Sequence, residues 1–340
     1  MAMTRSLIIA PQWIGDAAMS EPLLRELHQR GEQITVAALS WVAPVYQHMP
    51  SVAEVIELPF KHGRLQWAER RALARQWRGK FDRAYVMPNS LKSALIPWLA
   101  DIPVRIGYHG ESRYVLLNQR LPNPTPENHP SMVPFYYALS GQPLVNKHLI
   151  RPVLTRDAAT VEQTLQAFGL RKGEFIVMVP GVEYGPAKMW PMANVAGFCD
   201  LAQTQIVLLG SAKEVSLCQS VCELTRNPRV MNLAGQTQLS QAFDLLSAAS
   251  AVISNDSGLC HVSAALGVPQ VVVYGSTSPY HAPPLNPKAK SIWLGDDPSY
   301  SPKLDCAPCC ERVCPLGHTR CMADVKPEQV LKLVQSLQTA

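Results

Sequence analysis

Short apolar runs alternate with longer stretches of helical spacing along the whole 340-residue chain. In the first half, Leu7–Ala10, Ile34–Leu39, Val55–Leu58, Arg83–Met87 and Val104–Gly107 read as strands. Asp16–Gln29, Leu65–Arg78 and Leu91–Leu99 carry the spacing of helices. Residues 118–135 hold Pro122, Pro124, Pro126, Pro130 and Pro134 among polar residues and read as a loop. A helix and a linker near Leu149–Thr155 follow. The second half repeats the alternation. Its strands are Phe175–Val179, Ile206–Gly210, Val230–Leu233, Ala251–Ile253 and Pro269–Tyr274. Its helices are Met192–Gln203, Glu214–Thr225 and Leu239–Ala249, with a small-residue helix opening after Ser257.

Strands that alternate with helices build parallel βαβ units. The expected fold class is therefore α/β: two Rossmann-like, doubly wound domains facing a central cleft. The expected domains are residues 1–155 and 156–325. Residues 326–340 form an amphipathic C-terminal helix able to pack back on the first domain. Parallel sheets bind ligands beyond the carboxyl ends of their strands, so the loops at those ends are where chemistry is sought.

Composition narrows the class. A hydrophobic fraction of 47% and a charged fraction of 17% suit a globular protein. No uncharged apolar window reaches the length of a spanning helix. The N-terminal apolar run is too short for a signal peptide, so a cytoplasmic location is expected. The net charge of +5 lies in the first half: residues 1–150 hold 16 Lys+Arg against 11 Asp+Glu, leaving 15 of each for the rest. Between Lys61 and Lys80, seven cations face Glu69 alone. Such a stretch attracts an anionic partner, whether a phosphorylated substrate, a membrane surface or nucleic acid, or else is a solvated helix face.

Four strand-end loops carry candidate chemistry. In Ala10–Asp16, Gly15 permits a tight turn and Asp16 falls at a helix start, where the dipole favours the carboxylate a general base requires; a plain N-cap is the bland alternative. In Pro180–Pro191, a stiff loop presents Lys188, suited to a diphosphate or simply to the surface. In Leu209–Glu214, a glycine turn precedes an acid near a helix start, a place where ribose hydroxyls are held. In Ser254–Gly267, a strand runs into a helix N-terminus that offers free N–H groups to a phosphate. There Asp256 or Ser257 can cap the helix, and Gly258 admits close approach of a ligand. No G-x-G-x-x-G follows a strand and there is no P-loop, which argues against nicotinamide dehydrogenases and ATPases. No D-x-D pair is present to hold a metal-bridged diphosphate.

Taken together, Trp13–Asp16, Met87–Ala94, Pro180–Pro191, Asn232–Thr237 and Asn255–Val262 resemble, in order and spacing, the glycosyltransferase family that contains the lipopolysaccharide heptosyltransferases. The resemblance implies a GT-B fold with the acceptor domain first and the ADP-sugar domain second. It implies inverting transfer of heptose from ADP-L-glycero-D-manno-heptose to the first heptose of the inner core, on heptosyl-Kdo2-lipid A, with no cofactor required. Asp16 then matches the base and Lys188 the group that neutralises the leaving diphosphate. Asp256, Ser257, Gly258, Leu259 and His261 match the heptose and phosphate loop, Glu214 a ribose contact, and Asn232, Leu233, Ala234 and Gly235 the adenine pocket. Lys61, Arg64, Lys92, Arg105 and Arg113 become candidate contacts to an acidic, membrane-held acceptor. That places the enzyme at the cytoplasmic face of the inner membrane, with no nucleic-acid partner. A relative with another acceptor, a sugar-nucleotide epimerase of similar fold and a non-catalytic binding module stay open as alternatives.

Five of nine cysteines cluster near the C-terminus. Cys306, Cys309, Cys314 and Cys321, with Cys310 and His318 beside them, could hold a structural zinc. The spacing is not a clean pair of C-x2-C knuckles, and free thiols or a disulfide are the competing readings.

Overall fold

A computed structural model of the protein describes residues 3–60, 64–124, 131–142 and 150–338. The chain divides into two compact units, residues 1–155 and 156–340. In the first, β1 (Thr4–Ile9), α1 (Ile14–Met19), α2 (Glu21–Gln29), β2 (Glu32–Leu39), α3 (Ala43–Gln47), β3 (Glu54–Leu58), α4 (Trp67–Trp77), β4 (Arg83–Val86), α5 (Leu91–Leu99), β5 (Val104–Tyr108), β6 (Gln119–Leu121) and α6 (Met132–Tyr137) follow one another. The strands form one parallel sheet in the order β3-β2-β1-β4-β5-β6.

The second unit contains α7 (Ala158–Ala167), β7 (Phe175–Val179), α8 (Met192–Leu201), β8 (Gln205–Leu208), α9 (Val215–Leu224), β9 (Val230–Asn232), α10 (Leu239–Ala248), β10 (Ala251–Asn255), α11 (Gly258–Ala265), β11 (Gln270–Tyr274), β12 (Ala289–Trp293), α12 (Arg320–Ala323) and α13 (Pro327–Gln338). Its sheet, β12-β11-β10-β7-β8-β9, is also parallel and wound in the same sense. Central strands covered on both faces read as unbroken apolar runs; every residue of β7 is buried. In each sheet the winding reverses between two neighbours, β1 and β4 in the first and β7 and β10 in the second. Such a reversal leaves a crevice at the carboxyl ends of those strands. Within each unit the arrangement is that of a Rossmann-like domain of the GT-B kind.

Several local expectations change. The single helix expected over Asp16–Gln29 is broken at Ser20. Pro22, in the first turn of α2, has no N–H to continue the ladder, and the Ser20 hydroxyl donates to the Ala17 carbonyl at 2.7 Å. The proline-rich stretch expected as loop holds β6 and the start of α6, whose Pro134 lies early in the helix where its missing N–H costs little. α3, α7 and β12 had no counterpart in the periodicity. The apolar stripe of α13 is used within the second unit. Val330 and Val334 are buried in the core of the second, where the helix packs on α8, β10 and β11.

Candidate active site

The two crevices hold different constellations. In the first unit a cavity of about 320 Å³ opens where β1 and β4 end, walled by Trp13, Asp16, Met87, Pro88, Asn89 and Tyr136 among others. Asp16 is in the first turn of α1. The Tyr136 hydroxyl, arriving from α6, donates to Asp16 Oδ1 at 2.8 Å. Burial, then the neighbouring Asp16 charge, pushes the Tyr136 hydroxyl well above its usual pKa, so it stays protonated and acts as a donor. A phenol aimed at a carboxylate favours the ionised form. Tyr136 had no place in the sequence argument, because it lies 120 residues from its partner, just beyond the stretch expected as loop.

The wall opposite is fixed by Arg113. Its guanidinium, 1% exposed, donates to the Pro88 carbonyl at 2.6 Å and to Asn89 Oδ1 at 3.2 Å. Arg113 therefore supports the cavity wall and is not displayed to an acceptor, which corrects the expectation for it. Arg105 is likewise engaged by the Leu116 and Ile102 carbonyls, at 2.7 and 2.6 Å. Arg64 is exposed and Lys92 half-exposed. Lys61 lies outside the described residues.

In the second unit, Asn255 at the end of β10 ties down both ends of the loop that follows β7. Its Nδ2 donates to the Pro180 carbonyl at 2.7 Å, and its Oδ1 accepts from the Trp190 amide at 3.1 Å. The loop so closed delivers Lys188 to Asp256, with Nζ to Oδ2 at 2.7 Å. Thr277 donates to the same oxygen at 2.8 Å, and His261 Nε2 lies 3.7 Å from Oδ1. Burial alone would raise the Asp256 carboxyl. The facing His261 and the Lys188 ammonium outweigh burial and hold it far below the usual carboxylate range. Tyr184 lies under the ammonium, 5.0 Å from ring centre to Nζ, a cation–π contact.

Asp256 and Ser257 do not cap α11, contrary to expectation: the helix has no side-chain cap. Asp256 is committed to Lys188 and Thr277, and the Ser257 hydroxyl has no protein partner. Gly258 and Leu259 open the helix, so their amides are among the unpaired N–H groups of its first turn. Thr277 was missed, although Gly275-Ser276-Thr277 directly after an apolar strand is a legible signal. Glu214 closes a capping box on Ser211 at 2.6 Å and packs on Gly181, where any Cβ would meet its carboxylate. Asn232 ends β9, its Oδ1 accepting from the Ala234 amide at 3.0 Å; Leu233 and Ala234 are buried and Gly235 turns with φ +71.

The sequence of the chain between residues 70 and 319 matches the profile of glycosyltransferase family 9 (heptosyltransferase). The chain belongs to this family. It is 39% identical to lipopolysaccharide heptosyltransferase 2 of Escherichia coli K12, with 97% of each chain covered. It is 39% identical to lipooligosaccharide heptosyltransferase 2 of Haemophilus influenzae, covering 85% of this chain and 88% of that one. The solved E. coli ADP-heptose lps heptosyltransferase II superposes with a TM-score of 0.83 at 36% identity over 99% of both chains. The protein is a glycosyltransferase, and the epimerase and binding-module alternatives fall away.

The cysteine segment adjoins the lysine loop of this glycosyltransferase. The Ala187 amide donates to the Arg312 carbonyl at 3.1 Å, and the Tyr184 hydroxyl to the Cys310 carbonyl at 3.0 Å. Cys306, Cys309, Cys314 and Cys321 surround a cavity of about 10 Å³. All nine cysteines are free, which sets the disulfide reading aside. Among the described residues no three His, Cys, Asp or Glu side chains are placed to hold a metal. Backbone N–H groups, that of Thr319 foremost, hold the Cys314 thiol below its usual pKa, whereas burial pushes Cys321 up to about 11.

Proposed function

We propose that the enzyme moves heptose from ADP-L-glycero-D-manno-heptose to the first heptose of heptosyl-Kdo2-lipid A, inverting the anomeric centre, at the cytoplasmic face of the inner membrane. The observation that carries this reading is the end-to-end identity with lipopolysaccharide heptosyltransferase 2; the geometry supplies the roles. Asp16 takes the proton of the acceptor hydroxyl as its oxygen attacks the anomeric carbon. The bond from that carbon to the β-phosphate oxygen breaks, and ADP departs. Lys188 meets the growing charge on the diphosphate, and the amides opening α11 share it.

Asp256, locked in its ionised state, is no candidate base in this scheme. It pairs with Lys188 and aims it. Glu214 and the Asn232–Gly235 turn lie at the carboxyl ends of β8 and β9, where the ribose and adenine are assigned. The first unit takes the acceptor, with Arg64 and Lys92 the cations displayed to it. No metal is assigned to transfer. Elemental analysis of purified enzyme decides whether the thiol cluster carries zinc, for which its side chains are not gathered as they stand.

Incubation with ADP-heptose, with and without heptosyl-Kdo2-lipid A, tests the reading. ADP should be released only when acceptor is present, with one heptose gained per ADP. Release of ADP without acceptor, or failure to use this acceptor while another lipopolysaccharide core is extended, overturns it.

A further inference from the structure

Six of the exposed large apolar side chains of the first unit gather on one edge, while Met3, Trp98 and Val153 are exposed elsewhere in it. Trp41, Leu65, Trp67, Leu91, Tyr114 and Val115 are between 39% and 73% exposed. They follow β2, β3, β4 and β5, on the loops beyond the carboxyl ends of those strands or, for Trp67 and Leu91, on the first residue of the helix that comes next. In a parallel sheet those ends share one edge, the same edge on which the Asp16 cavity opens. Of the four exposed tryptophans among the described residues, all in this unit, Trp41 and Trp67 belong to the edge and Trp13 to the cavity wall. A monomer rarely leaves such a set uncovered.

The edge is held rigid from beneath. Arg70, buried against the ring of Phe60, donates to the carbonyl of Leu65 at 2.6 Å and to that of Lys92 at 3.1 Å. Glu111 ties its turn to the start of α5 by accepting from the Leu91 amide at 2.7 Å. Arg120 stacks on Tyr114 at 5.2 Å. Trp41 donates to the Gln12 carbonyl of the cavity loop at 3.0 Å. The charges around the apolar set are Arg64, Arg71, Lys92 and Arg120 against Glu69 and Glu111, an excess of cations.

Tryptophan, tyrosine and leucine ringed by arginine and lysine suit the headgroup layer of an anionic bilayer, where amphipathic rings settle and basic side chains meet phosphate. We propose that this edge docks on the bilayer and so carries the Asp16 cavity to the depth of a membrane-held acceptor. The inference rests on the acceptor reading above and adds the surface that meets the lipid.

Sedimentation with vesicles of phosphatidylglycerol and phosphatidylethanolamine tests it without any turnover. The enzyme should bind these vesicles, bind phosphatidylcholine vesicles less, and release in high salt. Leu65→Ser/Trp67→Ser, and separately Tyr114→Ser/Val115→Ser, should each weaken binding by about tenfold or more. Transfer to acceptor embedded in vesicles should fall in step, and transfer to a deacylated, water-soluble acceptor should stay within about twofold. Vesicle binding that is absent, or unchanged in both variants, overturns the proposal. So does a dimer in light scattering that these substitutions dissolve, which would assign the edge to a second copy. Loss of transfer to the soluble acceptor in the unsubstituted enzyme would instead refute the acceptor reading.

Discussion

The two units share a strand order and put their candidate chemistry at the same topological place, yet their key aspartates live in opposite surroundings. Asp16 faces an open cavity of about 320 Å³ and accepts a hydrogen bond from the Tyr136 phenol. Asp256 is buried among Lys188, Thr277 and His261. The fold supplies a crevice twice. The partners of each carboxylate decide whether it can accept a proton or only anchor a cation. A carboxylate whose pKa is driven far down by a histidine and a lysine only anchors a cation near neutrality; one on the wall of an open cavity is placed to reach a substrate hydroxyl.

The sharpest way to break this contrast is to remove both carboxylates in turn. Asp16→Asn keeps the shape and the Tyr136 contact but deletes the base. Turnover should fall by about 10²–10⁴-fold with ADP affinity unchanged. Steady-state kinetics beside calorimetric ADP binding check this, and near-normal turnover would sink the assignment. Asp256→Asn should act on stability first. It strands a lysine ammonium that is 13% exposed, and breaking a buried pair from one side costs about 3–5 kcal/mol. Since the folded pKa of Asp256 is depressed, its contribution is present above the usual carboxylate range and disappears as the pH falls below it. Denaturant unfolding of the variant, with its lysine intact, should show a large loss at pH 7 and a smaller one at low pH. Lys188→Ala should lose both ADP affinity and turnover, the latter by about 10²–10³-fold.

How much of this contrast was legible in the sequence differs between the two sites. Lys188 and Asp256 stand on loops bounded by apolar strands and punctuated by glycine and proline, so alternation alone put them at strand ends. The clamp that joins them is an asparagine side chain bonded 75 and 65 residues away, and spacing carries no trace of such a contact. Asp16 was found through Gly15 and the helix start. Its partner Tyr136 was hidden because it lies 120 residues away, and the start of its helix was read as loop although proline is at home in a first turn. Arg113 misled for the opposite reason. An arginine in a polar stretch reads as a surface cation, yet five donors in a fixed fork also make it a good binder of carbonyl oxygens, which is its use here.

The units should also answer pH in opposite senses. In the first, burial foremost lifts Glu21 from the usual 4.5 to about 7, against the opposing pull of Arg25 and the Val153 amide. A carboxyl with a raised folded pKa keeps its proton where the unfolded chain has released it. Stability from this group is therefore full below about 4.5 and drains as the pH climbs to about 7. Two to three pKa units correspond to about 3 kcal/mol. Glu21→Gln should flatten that decline between pH 5 and pH 8 in denaturant titrations, whereas Asp256→Asn leaves it in place. An unchanged slope in Glu21→Gln would locate the pH response elsewhere.

The finest test asks whether Tyr136 tunes Asp16 or merely fills space. Deleting the hydroxyl in Tyr136→Phe removes a donor to the ionised carboxylate, so the pKa of Asp16 must rise. A hydrogen bond to a charged group is worth about 1.5–3 kcal/mol, which bounds the rise at about one to two units. The acid limb of the kcat/KM profile should shift to higher pH by that amount. At pH 7 activity falls by about tenfold or less, and at alkaline pH it recovers, because the base is again ionised. Substitution by phenylalanine leaves the wall of the cavity nearly unaltered, so acceptor KM should change little. A uniform loss at every pH would instead mean that Tyr136 only holds the side chain of Asp16 in its attacking orientation. The Tyr136 contact would then differ in kind from the contacts around Asp256, which fix charge as well as position.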